Sequence, residues 1–241
     1  MSLSWSNIRT IYNREINNYF NTPIGYVFLI IFSLFINFLF LYLPNFWDVN
    51  SASMENFFSW MRIVYMFLIP AITMRLWAEE KKTGTIEVIF TMPYQTAETI
   101  LGKYLSALSF LGFALCSTIF IPISIGTISS PDWMLIIGGY LGLTLLGAAY
   151  IAMGLFISWF TQDQIIAFLI TIAACFLFFI MGYPSFLQLM GILGPLMAYA
   201  SVSWHYDSLA RGMFDTRDIF YFLTFIGIFM YMNYFAIENK K

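Results

Sequence analysis

Charge is scarce in this chain. Only 10% of its 241 residues are Asp, Glu, Lys or Arg, where a soluble domain carries roughly a quarter. Hydrophobic residues make up 60%, aromatic residues 20%, and the mean hydropathy is +0.77. A water-facing globule of this size could not bury so much apolar surface, so the expected solvent is a bilayer. Cysteine is equally sparse: Cys116 and Cys175 both fall in long apolar runs and read as small packing residues, with no disulfide framework expected. There is one histidine, His205, and neither an H-E-x-x-H nor a paired C-x-x-C spacing for a metal. The net charge of −2 offers nothing to nucleic acid. A phosphate-cradling G-x-x-x-x-G-K-[ST] loop is missing too. Tyr104 follows Gly102-Lys103, and Ala97 stands where the first glycine would be. The chain is therefore not expected to be an enzyme, and not to hydrolyse ATP itself.

What is there is a series of apolar runs. A transmembrane helix needs roughly 20 mostly apolar residues, and six runs qualify, at 24–43, 57–77, 104–128, 133–160, 165–181 and 219–237. Residues 182–199 are apolar but broken by Gly182, Pro184, Gly191, Gly194 and Pro195, which suggests a re-entrant or interfacial pair of short helices. No cleavable signal pattern follows the first run, so the N-terminus is expected to be retained. If the six runs alternate across the bilayer, Arg9, Arg14, Arg75, Lys81, Lys82, Lys103, Lys240 and Lys241 share one side, leaving Arg211 and Arg217 on the other. That asymmetry predicts cytoplasmic termini.

Residues 5–20 precede the first run. Trp5, Ile8, Tyr12, Ile16 and Tyr19 recur at spacings of 3 and 4 and define one helical face, with Arg9, Arg14 and asparagines elsewhere. An amphipathic interfacial helix is predicted, with 21–25 bending the chain into the first span.

The stretch RLWAEEKKTGTIEVIFTMP at 75–93 breaks the apolar pattern. Thr83-Gly84 punctuates it, Thr85 can cap a short helix with Glu87 in its first turn, and Met92-Pro93 ends that helix, with Pro93 opening the next. Ile86, Ile89 and Phe90 lie at i, i+3 and i+4, flanked by Glu79–Lys82 charges and Glu87. Two readings stay open: a charge-rimmed docking patch, or a face packed under its own bundle or resting on headgroups.

Other residues admit two readings as well. Arg62, near the outer end of the second run, either snorkels outward to Glu55 or headgroups, or serves a substrate path or gate. His205, near Ser201, Ser203 and Asp207, lacks a G-x-S-x-G elbow, and a structural role is expected. Gly138, Gly139, Gly142, Gly147 and Gly154 let helices approach closely, within one subunit or at a seam between two.

The 75–93 stretch resembles the E-x-x-x-G-T-[IL]-E-x-[IL]-x-x-x-P segment of type-2 ABC exporter permeases. It lies between the second and third of six runs, as in that family. Residues 12–26 and 203–218 are similar to the matching segments of the gliding-motility and copper-maturation permeases. The resemblance implies an all-α membrane fold with six transmembrane helices, an N-terminal interfacial helix at 1–22 and a six-span domain at 23–241. Within that domain it implies a coupling loop at 78–103 and an outer re-entrant or interfacial segment at 182–218. It implies a bacterial inner-membrane half-transporter paired with a second permease chain and resting on a cytosolic ABC ATPase. That partner would hold the ATP and magnesium, while this chain binds no cofactor of its own. It also gives Glu79, Glu80, Gly84, Thr85, Glu87 and Pro93 a role in contacting the ATPase, to which the helical face adds Ile86, Ile89 and Phe90. An ATPase-driven scaffold without transport, or a channel, would share these features.

Overall fold

The computed structural model describes residues 3–42, 54–128 and 131–240, and the end of the first predicted span falls partly outside them. Among the described residues the chain is helical throughout, with no strand. In chain order the helices are α1 (Trp5–Phe20), α2 (Pro23–Tyr42), α3 (Glu55–Thr73), α4 (Arg75–Lys82), α5 (Thr85–Thr91), α6 (Thr96–Cys116) and α7 (Phe120–Ile128). They continue with α8 (Trp133–Ser158), α9 (Gln164–Ile180), α10 (Pro184–Met190), α11 (Gly194–Ala200), α12 (Val202–Ala210) and α13 (Thr216–Glu238). Four helical stretches, Glu55–Lys82, Thr96–Thr127, Trp133–Ser158 and Thr216–Glu238, are long and apolar enough to cross a bilayer. Two bent pairs, α1 with α2 and α9 with α10–α11, raise the count to six if each is one span. By the length and composition of these helices this is a multi-pass membrane protein. The α9/α10–α11 bend is 79°, close to the break that Gly182 and Pro184 announce.

The helix α8 is the axis of the bundle, in contact with α3, α4, α6, α9, α12 and α13. Its glycines explain how so many neighbours fit. A Cβ at Gly139 would sit 2.3 Å from the Phe58 ring, and one at Gly147 2.2 Å from Leu111 Cδ2. These small residues therefore seat helices of the same subunit.

The α1 helix lies along α6 with most of the predicted face inward: Ile8 and Tyr19 are buried, and Tyr12 and Ile16 half-buried. The buried residues are Ile8, Ile11, Glu15 and Tyr19, whereas Trp5 is exposed. The spacing rule follows hydrophobicity, and here a carboxylate that finds a cation inside belongs to the buried face. Contact is close because α6 presents Gly102, where a Cβ would come within 2.7 Å of Ile11 Cγ2. Gly112, on the same helix, has no atom within 4 Å of such a Cβ. Gly102→Val should therefore destabilise the protein in detergent by about 1–3 kcal/mol through overpacking. Gly112→Val should stay within about 0.5–1 kcal/mol of wild type. Paired unfolding midpoints check both.

Candidate functional site

The 75–93 insert builds the site at one end of the bundle. Helix α3 stops at Thr73, and α4 begins immediately after Met74. A break in a buried helix strands backbone groups. Ser158, the last residue of α8, satisfies them: its Oγ accepts from the Trp77 and Ala78 N–H groups, each at 3.2 Å, and donates to Met74 O at 3.0 Å. The next residue, Trp159, is packed edge-on by Trp77 at 5.4 Å and by Phe90 at 6.2 Å, and donates its indole N–H to Ala236 O at 3.2 Å. Lys81 donates to the Trp159 carbonyl and lies over its ring. Thus α4 and α5 are fastened to the ends of α8 and α13.

Gly84 makes the turn between α4 and α5 with φ of 72°, a left-handed conformation that glycine takes without a Cβ penalty. It occupies the capping position, so Thr85 is the first helical residue and not the cap. The Thr85 hydroxyl lies 2.9 Å from that of Thr83. Pro93 also departs from expectation: α6 starts at Thr96 with Gln95 as its cap, leaving Pro93 in the connecting turn. Glu98 accepts from Gln95 N–H at 3.0 Å, Ser4 N–H at 2.7 Å and Asn7 Nδ2 at 2.9 Å, closing the starts of α6 and α1 with one carboxylate.

The apolar face of α5 is not offered to solvent. Ile89 is buried, and Ile86 and Phe90 are half-buried against the bundle core. A seven-residue helix is held in place by packing, which uses its best apolar side. Its outward face is Thr85, Glu87, Val88 and Thr91, with Val88 55% exposed, and Met92 is exposed just past its end. Of the remaining predicted residues, Glu79 is exposed and Glu80 points inward.

Glu80 belongs to a buried ion cluster. The Lys103 ammonium, fully buried, lies 3.0 Å from Glu15, 2.8 Å from Glu80 and 2.7 Å from Leu76 O, over the Trp77 ring. Arg14, half-exposed, reaches both carboxylates at 2.6 and 2.8 Å. Burial pushes the Glu15 carboxyl up, but Lys103 and then Arg14 outweigh it and hold it below the ordinary carboxylate range. Three helices, α1, α4 and α6, meet through this one ammonium. The cleft beside it, about 480 Å³, is lined by Arg14, Asn18, Arg75, Glu79 and Thr83 among others. Thr96 bonds Glu238 at 2.9 Å, so the C-terminal end of α13 lies at this end as well.

At the opposite end Arg62 pairs with Asp207 of α12 and stacks over Phe179 at 5.2 Å. Sequence reasoning did not find Asp207 as its partner. His205 bonds Asp218 through Nδ1 at 2.7 Å and Tyr199 O through Nε2 at 3.1 Å, and stacks on Tyr221 at 3.9 Å. It joins α11, α12 and α13. The Ser201 and Ser203 hydroxyls donate to Phe178 O and Phe179 O, so neither is poised as a nucleophile. Among the described residues no group of three or more His, Cys, Asp or Glu could hold a metal.

The residues that sequence reasoning missed are Glu15, Lys103, Ser158 and Trp159. A lysine seven residues into a helix that turns apolar was a signal for the first two. The chain matches no family model and no curated protein sequence.

Lys103→Met leaves the two carboxylates only the half-exposed Arg14 and should cost about 3–5 kcal/mol, read as a lower unfolding midpoint. Because Glu15 titrates lower folded than unfolded, its charge stabilises the protein above its unfolded value of about 4.3, and that stability is lost as pH falls through the folded value. Glu15→Gln should flatten this acid limb of the midpoint-against-pH curve.

Proposed function

We propose that the chain is the permease subunit of an ABC transporter of the exporter type. It would work with a second permease chain in the bilayer and a cytosolic ABC ATPase that binds ATP and magnesium. The observation that carries this reading is the construction of the 75–93 insert. It is a helical pair: the exposed face of α5 carries Glu87, its inner face packs through Phe90 on Trp159, and α4 beside it is bonded to α6 through Lys103 and to α8 through Ser158. A push on α5 reaches α8 and α13 through the Phe90–Trp159 packing, and α3 and α6 through α4. The basic residues gathered at the same end, Arg14, Arg75, Lys81, Lys82 and Lys240, favour a cytoplasmic placement of the insert. The E-x-x-x-G-T-I-E resemblance implies export and the class of partner.

In this reading Glu87, Val88 and Met92 touch the ATPase, while Ile86, Ile89 and Phe90 hold α5 to the bundle and act only through it. Glu79, Glu80, Gly84, Thr85 and Pro93 shape and anchor the element. The test is affinity purification of the chain from its native membranes in mild detergent, with ATP hydrolysis measured on what co-purifies. A stoichiometric cytosolic ATPase is expected. Glu87→Lys with Val88→Asp, both on exposed positions, should reduce its recovery about tenfold or more without lowering the unfolding midpoint. Recovery of the chain alone, or an ATPase indifferent to this pair of changes, would overturn the reading.

A further inference from the structure

At the end of the bundle away from the insert, a cavity of about 530 Å³ opens between α3 and the end of α9. That is within the range of small-molecule sites, roughly 300–1,000 Å³. Its polar lining consists of Ser59, Trp60, Arg62 and Tyr183. All four can donate hydrogen bonds, the indole and the guanidinium can only donate, and no carboxylate lines the cavity. Among the described residues, nothing accepts from Ser59 Oγ, Trp60 Nε1 or Tyr183 Oη. The remaining wall is Ile63, Phe176, Phe179 and Ile180.

Arg62 supplies the charge. Asp207 takes its Nη1 and is not part of the cavity wall, while Nε is buried with no partner. A guanidinium has five N–H groups in a planar fork, so one carboxylate does not exhaust it. The Asp207 side chain is 44% exposed, and water screens its half of the pair. A surplus of donors around one cation attracts a group rich in acceptors and negative charge. The aromatic and aliphatic walls, opening where Phe176 and Leu177 are exposed on α9, favour an apolar chain attached to it. A small hydrated anion would gain nothing from those walls, and a cationic amphiphile would meet Arg62.

We propose that this cavity binds an anionic amphiphile, with a carboxylate or phosphate headgroup against Arg62 and the hydroxyls of Ser59 and Tyr183. Its apolar chain would run along Phe176 and Phe179. The site stands whether or not the chain is a transporter subunit.

The test uses the full chain in phosphatidylcholine nanodiscs and 9,10-dibromostearate as the probe, since bromine quenches nearby tryptophan fluorescence. The Trp60 contribution is obtained by subtracting the Trp60→Phe variant. Saturable quenching of Trp60 is expected, weakened about tenfold or more in Arg62→Gln, because hydrogen bonds to charged groups are among the strongest. Ser59→Ala with Tyr183→Phe leaves the Arg62–Asp207 pair intact and should weaken quenching in the same direction. If brominated phosphatidylglycerol in the disc quenches Trp60 more than brominated phosphatidylcholine, the source is a bilayer lipid. If only the free acid does, the source is a free amphiphile. Equal quenching by the uncharged methyl ester, or no change in both the Arg62 and the Ser59/Tyr183 variants, would overturn the proposal.

Discussion

An ammonium group sealed from water has to be met by negative charge, and in this protein that requirement brings three helices together. Lys103 on α6 is fully buried, and its contacts are a carboxylate from α1, a carboxylate from α4 and the main-chain oxygen of Leu76 in α4. Without the lysine, Glu15 would keep only the half-exposed Arg14 as a partner. Without Glu15 and Glu80, the lysine could not stay in its place between Trp77 and the bundle. The orientation of the N-terminal helix, the direction of α4 and the depth of α6 together satisfy this one charge balance, alongside the Glu98 bonds and the Ile11–Gly102 contact.

The second fastening, at Ser158 and Trp159, works by a different physics. Ser158 replaces the hydrogen bonds lost where α3 breaks into α4, and Trp159 offers a large flat surface on which Trp77 and Phe90 pack and a polar edge that binds α13. With the ion cluster on one side and this aromatic junction on the other, the insert has little freedom to move by itself. That rigidity is the physical content of the proposed coupling. A short surface helix can transmit a displacement to spanning helices only if the links between them are short and packed. At the far end, the Arg62–Asp207 and His205–Asp218 pairs tie α12 to α3 and α13.

Much of this was legible in the sequence, and the rest was not for identifiable reasons. The apolar runs, the break at Gly182–Pro184 and the helix between Gly84 and Pro93 follow from local chemistry, which acts over a few residues. The side of α5 that faces inward could not be chosen from Ile86, Ile89 and Phe90, since the same face serves a partner or the bundle equally well. That Glu15 joins the buried side of α1 has no local signal, because Glu15 and Lys103 are 88 residues apart and each, read alone, belongs at a surface. Asp207 and Arg62 present the same difficulty across 145 residues. Long-range pairs of opposite charge leave no periodic trace, whereas hydrophobic faces do.

Lys103 is shared between Glu15 and Glu80, so that α1, α4 and α6 form one unit. A double-mutant cycle of Glu15→Gln and Glu80→Gln, read as unfolding free energies in detergent, tests it most directly. Either single change leaves the ammonium one carboxylate, and the double change leaves none. The account predicts that the double variant loses more than the two singles combined, by about 1 kcal/mol or more. Losses that add to within about 0.3–0.5 kcal/mol, as for independent sites, would contradict it.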